Sequence, residues 1–279
     1  MPKSGRPRKL TKAAARYIVL KSKSNPTFTA RMVITRCGAS HLVKIDAVKR
    51  ILRRSRLYGK IAIKKPFLTK KHRQSRLRWC KERAGWNAIN WGRVIFSDES
   101  KIELFPQREI YVRRNLGKAL SPSMINSTRK FSPSIMIWGA IRNDGKKILY
   151  RCPPSVNQLT YKTILNETLP KIYTTRQLFQ HDGAKCHTAE SVRVYLEEKQ
   201  VRVLKNWPAQ SPDLSIIEQV WDLLNERVHR RSPKNLSELW TAISEEWELI
   251  TAQEIQKLYD SIPQGIASVL KSNGGNTKY

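Results

Sequence analysis

The chain has 279 residues, 53 Lys+Arg against 22 Asp+Glu, and a formal charge of +31 at pH 7. Its length suits about two domains, and 40% apolar with 27% charged residues excludes a disordered or fibrous chain. No apolar run reaches the ~18–20 residues of a membrane span, and the start is rich in Lys, Arg and Pro, so neither a membrane protein nor a secreted one is expected.

The charge is concentrated at one end, with 26 Lys and Arg residues in 1–83 against two acids, Asp46 and Glu82. So one-sided a field calls for a polyanion, and phosphate backbones are the usual one; the bland alternative is a soluble basic protein. The opening PKSGRPRKLTK is expected to be extended, with Arg6, Arg8 and Lys9 suited to a minor groove. The same stretch reads as a nuclear-import signal. The four cysteines (Cys37, Cys80, Cys152, Cys186) form no CxxC pair, so reduced thiols in the cytosol or nucleus are expected.

Residues 11–57 read as three short helices. The first starts at Leu10-Thr11, places Ala15, Ile18 and Val19 on one face, and ends at Ser24-Asn25-Pro26. Thr29 caps the second, which runs through Met32, Val33 and Thr35 and closes at Cys37-Gly38. The third, from Ile45 to Ser55, turns Ile45, Val48, Ile51 and Leu52 inward and Lys44, Lys49, Arg50, Arg53 and Arg54 outward. A basic third helix after a Gly-containing turn fits a helix-turn-helix, whose last helix enters the major groove. The alternative is a plain three-helix unit with a solvated charged face. Residues 58–90 read as a basic linker, with Lys64 and Lys65 available for phosphates and a helix starting near Leu68-Thr69.

From residue 91 strands and helices alternate. A short strand Val94–Phe96 ends at Asp98, and KIELF (101–105) and EIYVRR (109–114) read as two more. SIMIWGAI (134–141) and KKILYR (146–151) flank Asn143-Asp144-Gly145, a hairpin signal. A helix at 157–169, a strand QLFQHD (177–182), a helix at 187–199, a strand VRVL (201–204) and a helix from Ser215 to Arg230 follow. Two or three helices fill 235–271, and 272–279 reads as a flexible tail. An antiparallel meander followed by βαβ-like units predicts a mixed α/β sheet over 91–271.

Three acids sit where chemistry could use them: Asp98 and Asp182 at strand ends, and Glu218 early on a helix. Each also has a structural reading. Asp98 could form a turn, Asp182-Gly183 is a common turn dipeptide, and Ser215 to Glu218 matches a capping box. Together they form a set of hard oxygen ligands suited to two Mg²⁺ ions, with Mn²⁺ as the alternative. Such a pair stabilises the attacking and leaving oxygens of an in-line displacement at phosphorus. On the last of these helices Ile217, Trp221, Leu224 and Val228 form the apolar stripe, and Glu218 flanks it. Glu99 faces away from Asp98 if the strand continues, and Asp213 lies in a loop. Cys186 and His187 lack partners at zinc spacing and read as structural, and His181 projects from the strand face opposite Asp182. Among the tryptophans, Trp207 is the one suited to a DNA contact.

The segments GRPRKLTK, KKPFLTKKHR, NWGRVIFSDES, YVRR, IMIWGAI, QHDGAKCHTAESV and above all NWPAQSPDLSIIEQVWDLL carry a resemblance. From residue 5 to about 260, and in the family's order, the chain resembles the Tc/mariner superfamily of cut-and-paste DNA transposases. The resemblance implies an RNase H-like catalytic domain and the Asp-Asp-Glu triad Asp98, Asp182 and Glu218. It also implies Mg²⁺ dependence, cleavage at terminal inverted repeats, strand transfer into TA dinucleotides and a homodimer on paired ends, while the import-like basic stretch points to a nuclear site of action. In the family a further helix-turn-helix unit precedes GRPR, whereas here GRPR begins at Gly5. Asp182-Gly183-Ala184-Lys185 stands where many relatives have Asp-Asn-Ala-Pro. These departures motivate the alternative of a co-opted transposase acting as a DNA-binding protein. A structure-selective RNase H-like nuclease is a weaker third reading, against which WPAQSPDL argues.

Overall fold

The computed structural model describes residues 11–36, 44–60, 65–106 and 132–277, and the chain divides into two compact units, 1–64 and 65–279. Among the described residues no helix is long and apolar enough to cross a membrane.

Among its described residues the first unit holds three helices, α1 (Lys12–Ser24), α2 (Ala30–Arg36) and α3 (Ile45–Arg54). Thr11 and Thr29 start the first two as caps, their hydroxyls accepting from the Ala14 and Met32 N–H groups at 3.1 and 3.2 Å. Ile18, Val33, Ile34 and Val48 form the core, closed at its edge by Phe28, Ile45, Ile51 and Leu52. That leaves Lys44, Lys49, Arg50, Arg53 and Arg54 exposed on α3. One of them, Lys49, pairs with Asp46 at 3.8 Å, a solvated contact of little energetic weight. The arm with Arg6, Arg8 and Lys9, the turn at Cys37-Gly38, Lys64, and the strand expected over 109–114 lie outside the described residues.

Among its described residues the second unit is built on a four-stranded sheet of order β3-β2-β1-β4. The strands are β1 (Val94–Glu103), β2 (Ser134–Ile141), β3 (Lys147–Arg151) and β4 (Leu178–Gln180). β2 pairs antiparallel with β1 and β3, while β4 runs parallel to β1. Asn143, Asp144 and Gly145 do form the β2–β3 turn, with Gly145 at φ +85°, where a side chain would also collide with Ala252.

Helices cover both faces, as a sheet with two apolar faces requires. On one face α8 (Ile216–Arg230), α9 (Leu236–Glu248) and α10 (Ala252–Lys271) pack Ile217, Trp221, Trp247 and Ile266 against Val94, Phe96, Ile135 and Ile137. On the other, α6 (Gln158–Ile172) and α7 (Glu190–Glu198) pack Tyr161, Ile164, Leu165 and Val192 against Ile95, Trp138, Ala140 and Phe179. The strict alternation of β1 and β2 between the two clusters is the period-2 geometry of a strand. Tyr259 of α10 donates its hydroxyl proton to the Val94 and Ile141 carbonyls, at 2.7 and 3.1 Å.

Four expectations change. The strand expected to end at Asp98 and the one expected over 101–105 are a single ten-residue β1, kept continuous by eight consecutive pairings with β2. VRVL contributes one parallel bridge, Phe179 to Val203, rather than a strand. Within the stretch read as a linker, α4 (Lys70–Glu82) and α5 (Ala88–Gly92) belong to the second unit, because Trp79, Cys80 and Trp91 are apolar enough to enter its core. The tail read as flexible from residue 272 is tied down through Thr277. There the fully buried Arg76 of α4 donates to the Gly274 and Gly275 carbonyls, at 3.0 and 3.1 Å. It also makes a bidentate pair with Asp213, at 2.6 and 2.7 Å, and donates to the Gln210 carbonyl at 3.3 Å. All five guanidinium N–H groups are thereby used, and Thr277 donates its hydroxyl to Asp213 at 2.7 Å.

Candidate active site

Three carboxylates from segments far apart in sequence meet at one cavity of ≈ 430 Å³, lined by Asp98, Asp182 and Glu218 together with Gln180, Trp207 and Ser215. Each arrives by a different device. Asp98 is in mid-strand, on the α8 face of β1, two residues beyond Phe96, where the parallel pairing with Gln180 of β4 stops. The strand end that matters is therefore that of β4, which leaves a crevice beside β1; ligands of open α/β sheets bind in such crevices. The Ser97 hydroxyl donates to the Gln180 carbonyl at 2.7 Å and fixes the point of divergence.

Asp182 lies just after β4, in a turn in which its Oδ1 accepts from the Ala184 N–H at 2.9 Å. Its turn-forming reading and its place in the cavity are thus compatible. Glu218 is the third residue of α8, but the capping box expected there does not form, since Ser215 makes no side-chain cap bond. Its carboxylate goes instead to the cavity, where it and Asp98 lie close enough to shift each other's titration. The wall opposite the sheet is the segment 207–212, which the Arg76–Asp213 pair holds in place. Trp207, read as a DNA contact, packs edge-on against Trp79 at 5.0 Å and Phe96 at 6.3 Å, so much of its ring serves the core.

The electrostatics follow from crowding three acids out of water. Burial, together with repulsion from Glu218, Glu99 and Asp182, raises the pKa of Asp98 to about 8. Burial and the nearby Asp222 raise that of Glu218. Asp182 moves the other way, lowered by its hydrogen bond to His187. His187 is itself disfavoured as a cation by burial, but its hydrogen bonds to Asp182 and Glu99 outweigh this and raise its pKa to about 10. His181 drops to about 4 through burial and the neighbouring His187. It hydrogen-bonds Tyr161 at 3.1 Å and lines a different cavity from the three acids.

A divalent cation fits this donor set. The ligands are hard carboxylate oxygens whose mutual repulsion a cation would relieve. Gln180, only 1% exposed, lines the same cavity, and its Oε1 has no hydrogen-bond partner among the described residues. Among the described residues, as they stand, no three or more His, Cys, Asp or Glu side chains are placed to hold a metal ion together.

Of the basic residues expected to meet DNA, Lys44, Lys49, Arg50, Arg53 and Arg54 share the exposed surface of α3, and Lys65 is exposed at the start of the second unit. Sequence reasoning missed the link from Glu99 through His187 to Asp182, as well as Gln180. The available signals were the position of Glu99 on the α6–α7 face and that of Gln180 two residues before Asp182, on the same strand face.

Residues 93–240 match the family described as DDE superfamily endonuclease, and residues 15–85 match a second family described as Transposase. The Tc1 transposable element transposase of Caenorhabditis elegans is 33% identical over 83% of this chain and 87% of its own length. The Tcb2 transposable element transposase of Caenorhabditis briggsae is 28% identical over 95% of this chain and 99% of its own. In fold, the chain is similar to a pre-cleavage Mos1 transpososome crystal structure, with a TM-score of 0.83 and 17% identity over all of this chain and 83% of that one.

Proposed function

The chain belongs to the Tc/mariner superfamily of DNA transposases, and we propose that Asp98, Asp182 and Glu218 are the acids through which it cuts and joins DNA strands. It is a metal-dependent cut-and-paste enzyme with an RNase H-like catalytic domain, and its partner is double-stranded DNA. The observation that carries the triad is the single cavity on which three chain segments converge.

Asp98 and Asp182 would hold the ions, Mg²⁺ or Mn²⁺ and two in number, with Glu218 completing the second position. Bound there, divalent cations supply Lewis-acid stabilisation to both the attacking and the leaving oxygen of a phosphodiester. The protein's own part is to set Asp98 and Glu218 on rigid elements, β1 and α8, to hold Asp182 in the turn after β4, and to keep the cavity walled by 207–212. Residues 1–57 would grip the transposon ends through the arm and α3, and the basic stretch from residue 58 up to the start of α4 would join this grip to the catalytic unit. Assembly as a homodimer on paired ends and action in the nucleus follow from that task.

The test is divalent-ion-dependent nicking of duplex DNA carrying the element's inverted repeat, compared between the full chain and Asp182→Ala. Nicking that requires Asp182 supports the reading. Intact DNA binding with no nicking by the wild type would instead favour a co-opted DNA-binding protein.

A further inference from the structure

Asp182 lies beyond the last residue of β4, so no ladder hydrogen bond fixes its backbone. Its side chain is fixed in another way. Oδ1 accepts twice, from the Ala184 N–H at 2.9 Å and from His187 Nδ1 at 2.6 Å. Oδ2 takes no hydrogen bond from the described residues and is the oxygen left for the cavity that Asp182 lines.

His187 is held just as firmly. It is 4% exposed, its ring lies 4.0 Å from that of Tyr161, and its Nε2 is 3.2 Å from Glu99 Oε1. Glu99 stands next to Asp98 on β1 but on the opposite face, toward α6 and α7. Two consecutive strand residues therefore reach the same cavity by different routes, Asp98 directly and Glu99 from behind through the imidazole.

We propose that Glu99 and His187 are positioning residues, a relay anchored on β1 that fixes the carboxylate of Asp182 with Oδ2 presented to the divalent ion. Outer partners of this kind set the orientation of metal-ligating carboxylates, and losing one typically weakens metal binding about 10–100-fold. The relay gives Asp182, the one acid of the three that sits in a loop, an orientation comparable in rigidity to that of its partners on β1 and α8. It rests on the assignment of Asp182 as an ion ligand.

The experiment is Mn²⁺ titration of the full chain, with free Mn²⁺ read by electron paramagnetic resonance, on the wild type, Asp182→Asn, His187→Ala, His187→Asn and Glu99→Ala. Thermal unfolding without Mn²⁺ is measured in parallel. The relay predicts Mn²⁺ binding about 10–100-fold weaker in His187→Ala and a smaller loss in Glu99→Ala. Substantial recovery is expected in His187→Asn, whose amide nitrogen stands where ring Nδ1 stood. Wild-type affinity in His187→Ala and Glu99→Ala, with binding lost in Asp182→Asn, overturns the relay and leaves the triad standing. Wild-type affinity in Asp182→Asn overturns the triad assignment itself. If His187→Ala fails to unfold cooperatively, His187→Asn and Glu99→Ala decide: a Glu99→Ala affinity equal to wild type rejects the relay.

Discussion

Gly139 of β2 lies directly across the ladder from Asp98 of β1, and the space a side chain at Gly139 would fill is occupied by the Trp221 indole of α8. A Cβ there would stand 2.5 Å from Trp221 and 3.1 Å from Trp247, two rings stacked with centroids 5.4 Å apart. The missing side chain lets α8 lie close on the sheet, and α8 is the helix that brings Glu218 to Asp98.

Gly139→Ala should therefore act on stability and site together. Overpacking of this kind costs about 1–3 kcal/mol, and it displaces α8 near the residue that carries the third acid. The expected outcome is a lowered unfolding midpoint with end nicking reduced more than the folded fraction accounts for. Nicking that falls only in step with the folded fraction would show that α8 absorbs the methyl group without moving Glu218.

The pH response of the metal-free protein should reveal the crowding at Asp98. Its folded pKa of about 8 lies above the ordinary value of 3.8, so between those values the folded state holds a proton that the unfolded chain has released. Stability then falls as pH rises from about 4 to about 8, and levels off above. Asp98→Asn removes that contribution. In chelator, its Tm should exceed that of the wild type by several degrees above pH ~8, given that 1 kcal/mol is worth about 2–4 °C in a unit of this size. The gap should close toward pH ~4, and Mn²⁺ should raise the Tm of the wild type and not of the variant. A difference between the two proteins that is the same at every pH would contradict the raised pKa.

Arg76 and Asp213 should behave as a closed pair. Arg76→Met leaves Asp213, with a side chain only 5% exposed, buried without its cation, and such breakage typically costs about 3–5 kcal/mol. Arg76→Met combined with Asp213→Leu should recover much of that loss, as read by denaturant unfolding in a double-mutant cycle. Additive losses would mean that the two residues act independently.

Binding by the first unit should be strongly salt-dependent. If Arg53 and Arg54 meet phosphates, each substitution to alanine lowers the slope of log affinity against log salt by about 1. Fluorescence anisotropy on duplex DNA measures it. A slope unchanged in both variants would place α3 away from the phosphate backbone.

What the sequence made legible was whatever has a short period or a local cap. The α1 and α2 caps at Thr11 and Thr29, the hairpin at Asn143 to Gly145 and the apolar stripe of α8 are all local, and they stand where their spacing puts them. The three acids were legible as a set, although their structural readings fared unevenly: Asp98 is in no turn and Glu218 in no capping box, while Asp182 does form its turn. Relations that span the chain were hidden. Glu99 was read on its correct face yet set aside, because nothing local ties it to His187, and the partners of Arg76 lie at 210, 213, 274 and 275. Such pairings are products of the finished packing, and no window of neighbouring residues contains them.

The contacts of the last turn bear on the order in which the catalytic unit is written. Asn276 donates its amide to the Pro66 carbonyl at 3.0 Å, so two segments of that unit more than 200 residues apart abut. Splicing residue 277 to residue 65 would thus span only a short gap, and the cavity does not depend on which of these two ends comes first. The itinerary by which the polypeptide visits Asp98, Asp182 and Glu218 is then a legacy of ancestry, and only their final juxtaposition is demanded by the chemistry.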